Sequence, residues 1–358
     1  MKPSLWNDRP FVVIWEATRC CDLACRHCRA TANRRHHPEE LKTAESKRLI
    51  DQIARCNPGI FIITGGDPMQ REDLLELVQY ATGKGLRVAL SPSATPKFLS
   101  TDMKPFYQAG VRRMSFSLDG AEPMTHDAFR GVEGTAEWTM EAIQSAQQVG
   151  IDIQINTTMT RQNIEEFDDF KHVVTMLKPA VWTVFMLVPT GRGKSKDMLT
   201  GLEVETLFQG LADWEQEAPY EIKTTEGQHF RRVSLQRWKV RGGRREPKIA
   251  AINDGKGFVF ISHTGEICPS GFLPLPAGNV RKDELIDVYR NSPIFQQLRN
   301  PDALKGKCGR CEYRALCGGS RARAYAMTGD FLAPEPLCIY QPLSNELHRS
   351  SPTAAHHS

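Results

Sequence analysis

The chain lacks a long apolar run, an excess of one charge and the opening of an export signal. Its longest apolar stretches, such as VWTVFMLV at 181–188, fall far short of the ~20 residues that cross a bilayer. That argues against a membrane span. Lysine and arginine total 46 against 42 acidic residues, a net charge of +4. So small a surplus gives no reason to expect nucleic acid or a membrane as partner. Basic residues do crowd in RRVSLQRWKVRGGRREPK at 231–248, where a solvated loop is expected rather than a polyanion site. Asp8 and Arg9 come before any apolar run, so no signal peptide is expected and the compartment is expected to be the cytoplasm.

What is present is cysteine. A reducing compartment keeps thiols from pairing, so the ten cysteines are expected to bind metal more readily than to form disulfides. At 358 residues, 40% hydrophobic and 25% charged, the chain can hold one large core and a smaller appendage.

Short apolar runs at 11–16, 59–64, 86–91, 111–118, 151–158 and 180–187 read as strands. Helical patterns separate them, at about 43–55, 71–83, 100–109, 134–149, 164–178 and 202–217. Six such β-α units predict an α/β fold, a partial (β/α)6 TIM-like barrel, with its chemistry at the carboxyl ends of the strands. The unusual segments all fall there: a cysteine loop, then TGGDP, SFSLDG, NTTMTRQN and VPTGRG. Beyond 220 the pattern changes. GFVFISHTGEICPSGF reads as a β-hairpin turning at His263-Thr264-Gly265. The expected division is a core at 1–220, a bridging segment at 221–249, an auxiliary-cluster domain at 250–345 and a disordered tail at 346–358.

TRCCDLACRHCRA at 18–30 holds Cys21, Cys25 and Cys28 in C-x3-C-x2-C spacing. Three thiolates can hold three irons of a [4Fe–4S] cube and leave the fourth iron free for a small molecule. The bland alternative is a zinc site, with His27 as fourth ligand. After the first strand of a six-fold β-α chain, this spacing resembles a radical S-adenosylmethionine (SAM) enzyme. The resemblance implies that the amino and carboxylate groups of SAM chelate the open iron. It also implies a 5′-deoxyadenosyl radical that takes hydrogen from a substrate, and a reducing donor such as flavodoxin or ferredoxin. Cys20 is left unused. The other SAM contacts the resemblance implies are His27 near the adenine, Gly65, Gly66 and Asp67 at the ammonium, and Ser117 and Asp119 at the ribose or amino-acid end. Asn156 and Thr158 are weaker ribose candidates. Val188 belongs to a backbone cradle for adenine, and Arg192 could bind a carboxylate bidentately.

Cys308, Cys311, Cys317 and Cys338 form a second set, able to complete one tetrahedral metal site or one [4Fe–4S] cluster. Behind such a core the set resembles a SPASM-type extension. The full pattern of that extension has seven cysteines and two clusters, and this chain has Arg321 where a further cysteine would stand. One fully ligated auxiliary [4Fe–4S] cluster is therefore expected, suited to electron transfer or support. Cys268 and Cys56 are expected to be buried structural thiols.

The C-terminal segment resembles the radical SAM enzymes of haem d1 and alternative haem biosynthesis, which implies a small-molecule substrate, first a tetrapyrrole propionate and second a sugar acid or nucleoside. The expected reaction is hydrogen abstraction leading to decarboxylation or side-chain loss. Arg231, Arg232, Arg321 and Arg323 are expected as carboxylate anchors, with His229 as an acid or base titrating near neutrality. Two alternatives are a peptide maturase and a non-catalytic metal scaffold. The chain starts about ten residues before the first strand, without a winged-helix extension to hold a leader peptide, which favours the small molecule.

Overall fold

The computed structural model describes residues 5–241, 246–247 and 249–343. The expected tail at 346–358 lies outside the described residues, as do 242–245 and 248 of the basic stretch.

The strands are β1 (Val12–Glu16), β2 (Ile60–Thr64), β3 (Val88–Leu90), β4 (Arg113–Ser117), β5 (Asp152–Met159), β6 (Val181–Met186), β7 (Glu221–Thr225), β8 (Phe258–Ile261), β9 (Glu266–Cys268) and β10 (Gly278–Asn279). The helices are α1 (Thr43–Cys56), α2 (Leu74–Gly83), α3 (Pro96–Leu99), α4 (Lys104–Gln108), α5 (Pro123–Arg130), α6 (Thr135–Gln148), α7 (Phe167–Leu177), α8 (Gly201–Trp214), α9 (Phe230–Arg241), α10 (Leu285–Asn291), α11 (Pro293–Arg299), α12 (Gly306–Arg310) and α13 (Arg321–Thr328). None of these helices is long and apolar enough to cross a membrane.

All ten strands join one sheet in the order β10-β9-β8-β1-β2-β3-β4-β5-β6-β7. Strands β1 to β7 run parallel, each separated from the next by helix. This is the expected partial barrel, extended at both edges. At one edge β7 adds a seventh parallel strand inside the expected bridge. Only Ile222 of EIKTT is apolar and buried, so periodicity could not mark it. At the other edge the hairpin β8–β9 forms with its turn at 263–265, and β8 lies parallel on β1, Val12 opposite Phe258. The sheet thus runs through the boundaries at 220 and 250 rather than stopping at them.

The basic stretch is also corrected. Residues 230–241 form α9 rather than a loop. Phe230 and Val233 are buried, and Arg237 pairs with Asp213 of α8, so the helix is anchored by both packing and charge.

One face of each parallel strand packs under the helices, through Val13, Trp15, Phe61, Ile63, Met114, Phe116, Ile153 and Ile155, all at most 1% exposed. Each such side chain contributes about 1.5–3 kcal/mol on burial. The opposite face carries Ile62, Thr64, Ser115, Ser117, Gln154, Asn156 and Thr158, all half-buried. Core packing thus leaves a polar strip on the free face of β4 and β5.

Candidate active site and auxiliary cysteine centre

The chain leaves β1 at Glu16 and turns into the cysteine loop, which backbone bonds join to three neighbouring rim segments. Gly66 N donates to Thr18 O and Asp67 N to Cys20 O, both at 2.7 Å, and Arg192 N donates to Cys28 O at 3.0 Å. Arg26 N donates to Phe129 O, also at 3.0 Å. Cys21 and Cys25 pack with Leu23 and Ala32 in one small buried cluster, with Cys28 against it and Cys20 outside it. Leu23 N donates to Cys21 Sγ at 3.4 Å, Ser93 Oγ lies 3.6 Å from the same sulfur, and Arg130 Nη1 donates to Cys25 Sγ at 3.4 Å.

These donors suit thiolates, yet burial pushes the Cys21 thiol up to about 12. Keeping it ionised at neutral pH requires a bound cation. Among the described residues, no three His, Cys, Asp or Glu side chains converge on a single-ion site. A cube binds each thiolate through a different iron and so needs them further apart than one zinc would. Three thiols with donors aimed at Cys21 and Cys25 suit an iron–sulfur cluster.

Several residues expected to touch SAM are occupied by the protein. A Cβ on Gly65 would stand 2.7 Å from Thr18 O, and one on Gly66 would stand 2.5 Å from Cys20 O. The glycines are thus required for close approach of the cysteine loop itself. The fully buried Asp67 carboxylate accepts from Met69 N, Ser93 N and Thr95 Oγ1 at 3.1–3.3 Å, tying the β2 rim to the β3 rim. Burial raises it to about 6. Asp119 Oδ1 accepts from Thr158 N at 2.7 Å and Oδ2 lies 2.8 Å from Arg130 Nη2. Although desolvation opposes it, that guanidinium and neighbouring histidines hold the carboxyl below its usual range. Val188 O accepts from Thr190 N at 2.8 Å, and its side chain packs with Leu273, Leu298 and Ala322 of the C-terminal part.

Other expected contacts remain open. Ser117 pairs in register with Asn156, and Thr158 lies two residues further along the same face of β5. His27 packs on Phe129 at 4.6 Å between ring centroids, and its buried Nδ1 has no partner. The two rings line a small cavity with Thr160, Leu187 and Gly193. Burial first, then Arg130 and Arg192, against the pull of Asp119, lowers His27 to about 4. Arg192 Nη1 donates to Ala32 O at 3.2 Å, while its buried Nε and Nη2 have no partner.

In the C-terminal part, Cys308, Cys311, Cys317 and Cys338 line a single cavity, together with His229, Arg232 and Lys307. Glu335 N donates to Cys308 Sγ at 3.3 Å and Gly319 N to Cys317 Sγ at 3.4 Å. Burial pushes the Cys317 thiol up to about 12, so here too a cation is needed to hold it ionised. Cys268 and Cys56 are buried away from this cavity, as expected.

The arginines expected as substrate anchors all bond the protein, although the buried Arg232 Nε and Arg321 Nη2 have no partner. Arg231 donates to Leu316 O and Ile252 O, and Arg232 bonds Glu205 and Gln236. Arg321 donates to the carbonyls of Gly319, Phe331 and Ala333, and Arg323 bonds Glu335 and Glu226 O. They hold the auxiliary centre together. His229 is corrected as well. It is fully buried beside the four thiols, and desolvation, reinforced by Arg323, Arg232 and Lys307, lowers it to about 3 despite Glu335. It does not titrate near neutrality.

Sequence reasoning missed Arg130, Ser93 and a buried trio at the β1 rim, where Glu16 lies 2.8 Å from Arg29 and 2.7 Å from His263. Only the position of Glu16 at a strand end could have signalled it. Its partners come from the cysteine loop and from a turn 247 residues away.

Comparison with known proteins agrees with this geometry. Among solved structures, SuiB of Streptococcus suis bound to S-adenosylmethionine superposes with a TM-score of 0.70 at 18% identity, over 93% of this chain and 78% of that one. Native anSMEcpe with bound AdoMet gives 0.64 at 15%, over 91% and 93%. Both likenesses concern the fold. In sequence, the chain is 43% identical to an AdoMet-dependent heme synthase of Oleidesulfovibrio alaskensis, over 92% of this chain and 87% of the relative. It is 38% identical to one from Methanosarcina barkeri, over 94% and 98%. A mycofactocin maturase of Mycobacterium tuberculosis is 30% identical over 98% and 89%. Residues 15–174, from β1 through most of α7, match the Radical SAM superfamily. The chain belongs to that superfamily, whose enzymes join S-adenosylmethionine to an iron–sulfur cluster.

Proposed function

We propose that this enzyme abstracts a hydrogen atom from a propionate side chain of a tetrapyrrole, after which the side chain loses its carboxylate. The observation that carries the reading is the near full-length similarity to the two heme synthases, at 43% and 38% identity. Cys21, Cys25 and Cys28 hold three irons of the first cluster. When bound, the cluster supplies the electron that cleaves SAM to methionine and a 5′-deoxyadenosyl radical. Arg192, with two buried unpartnered nitrogens, takes the SAM carboxylate. The His27–Phe129 pocket takes the adenine, and Ser117, Asn156 and Thr158 face the ribose.

Decarboxylation that leaves a carbon–carbon double bond also releases one electron. Cys308, Cys311, Cys317 and Cys338 would hold a second cluster, which would supply a one-electron acceptor for it. A reducing donor of the flavodoxin or ferredoxin kind would supply the first electron.

The test is anaerobic turnover with a tetrapyrrole deuterated in its propionates. Deuterium in 5′-deoxyadenosine, with release of carbon dioxide, is the expected result. Transfer from a precursor peptide and none from any tetrapyrrole would favour the maturase reading, which the mycofactocin relative supports.

A further inference from the structure

His229 precedes α9, packs against Phe208 with ring centroids 4.7 Å apart, and lines the cavity of Cys308, Cys311, Cys317 and Cys338. It is 1% exposed, and neither Nδ1 nor Nε2 has a hydrogen-bond partner. A buried polar group without a partner costs about 1–3 kcal/mol, and native structures rarely keep one. The imidazole therefore calls for an occupant of the cavity to complete its bonding.

The surrounding side chains do not supply a partner. The Glu335 carboxylate already accepts from Arg323, Leu337 N and Ser320 N. Lys307 donates to Cys338 O, and Arg232 is held by Glu205 and Gln236. The four thiols share the cavity with His229, beside Tyr313, Arg314 and Tyr340. Backbone N–H groups of Glu335 and Gly319 bond Cys308 and Cys317. Two of the thiols thus have a main-chain donor, and among the described side chains lining the cavity the His229 ring nitrogens and Arg232 Nε are left without a partner.

We infer that His229 donates a hydrogen bond to the sulfur shell of the auxiliary cluster and thereby raises its reduction potential. The inference rests on the reading that these four cysteines hold an iron–sulfur cluster. A neutral imidazole carries one N–H, and a hydrogen bond to cluster sulfur favours the more negative, reduced state. His229 is then a positioning residue for electron removal and does not touch substrate.

The experiment is an EPR-monitored redox titration of the anaerobically reconstituted full chain with SAM, as wild type, His229→Phe and His229→Gln. Loss of the donor in His229→Phe is expected to disfavour reduction of the auxiliary cluster about tenfold, which is about 59 mV for one electron. His229→Gln, which keeps an N–H, is expected to recover most of the shift. Pulsed EPR of the wild type is expected to show imidazole nitrogen coupled to the auxiliary spin. Equal potentials in all three proteins, at about eight irons per chain, overturn the inference alone. About four irons and a single cluster signal in the wild type overturn the auxiliary-cluster reading and this inference with it. Should His229→Phe fail to hold the second cluster, the wild-type nitrogen coupling decides, and its absence overturns the inference.

Discussion

The Arg130 guanidinium bonds the Cys25 sulfur at 3.4 Å, and its other terminal nitrogen lies 2.8 Å from the buried Asp119 carboxylate. One side chain at the end of α5 thereby links a cysteine of the loop to the β4 rim. The bond to sulfur orients and stabilises the thiolate. The bond to Asp119 compensates a carboxylate that burial alone would neutralise.

Arg130→Leu removes both bonds and leaves Asp119 buried without its cation. The expected loss is about 3–5 kcal/mol, read by anaerobic denaturation. Arg130→Lys keeps the charge but cannot fork between sulfur and carboxylate, so an intermediate loss is expected. A loss below about 1 kcal/mol in the leucine variant would mean the pair does not support the fold.

Gly66→Ala tests whether the second rim holds the cysteine loop. The new methyl would meet Cys20 O at 2.5 Å and Arg19 O at 2.6 Å, both backbone atoms with no rotamer to escape through. The loop must shift, and about four of eight irons per chain are expected to be lost. Full iron content with only weakened SAM binding would restore the glycine to a role in ligand contact.

What was legible followed from how far apart the informative residues lie in sequence. The C-x3-C-x2-C spacing is local, so the loop could be read directly. Asp67 and Asp119 were recognised as polar residues at strand ends, but their donors come from elsewhere: Ser93 and Thr95 beyond β3, and Arg130 on α5. The sequence offered no way to tell a ligand-facing carboxylate from a satisfied one. The same holds for the four arginines near the second cysteine set. Strand β7 was missed because its single buried apolar residue gives no period, whereas β4 and β5 alternate clearly.

The raised pKa of Asp67 has a definite sign in stability. A carboxyl at about 6 in the folded state and 3.8 unfolded favours folding below pH 4 relative to pH 7, and that contribution fades as pH rises through 6. About two units correspond to about 3 kcal/mol. Asp67→Asn keeps the oxygen that accepts from Met69 N and Ser93 N and removes the charge. Relative to wild type, it is expected to gain stability between pH 5 and 7. Parallel stability curves for the two proteins would show that Asp67 is not strained by ionisation.

Arg192→Ala removes the two unpartnered guanidinium nitrogens beside the cysteine loop. A charged hydrogen bond is worth about 1.5–3 kcal/mol, so SAM binding is expected to weaken about 10–100-fold while iron content holds. Isothermal titration of the reconstituted protein reads the affinity, and iron analysis reads the cluster. Unchanged SAM affinity would remove Arg192 from the proposed carboxylate site.

The last prediction sets burial against convergence as the mark of a ligand cysteine. Cys268 is 3% exposed on β9, its thiol pushed up to about 12, and it stands outside the cavity lined by the four C-terminal thiols. Cys338 is half-buried but faces that cavity. If burial decided function, Cys268→Ala would be the damaging change. If convergence decides it, Cys338→Ala removes one corner of a four-thiolate set, and about four irons per chain are expected to go with it. Cys268→Ala is expected to keep all of them and lose only packing, about 1 kcal/mol. Iron analysis of the two purified variants beside the wild type measures the difference. Loss of iron in Cys268→Ala with retention in Cys338→Ala would move the auxiliary centre to a different set of ligands.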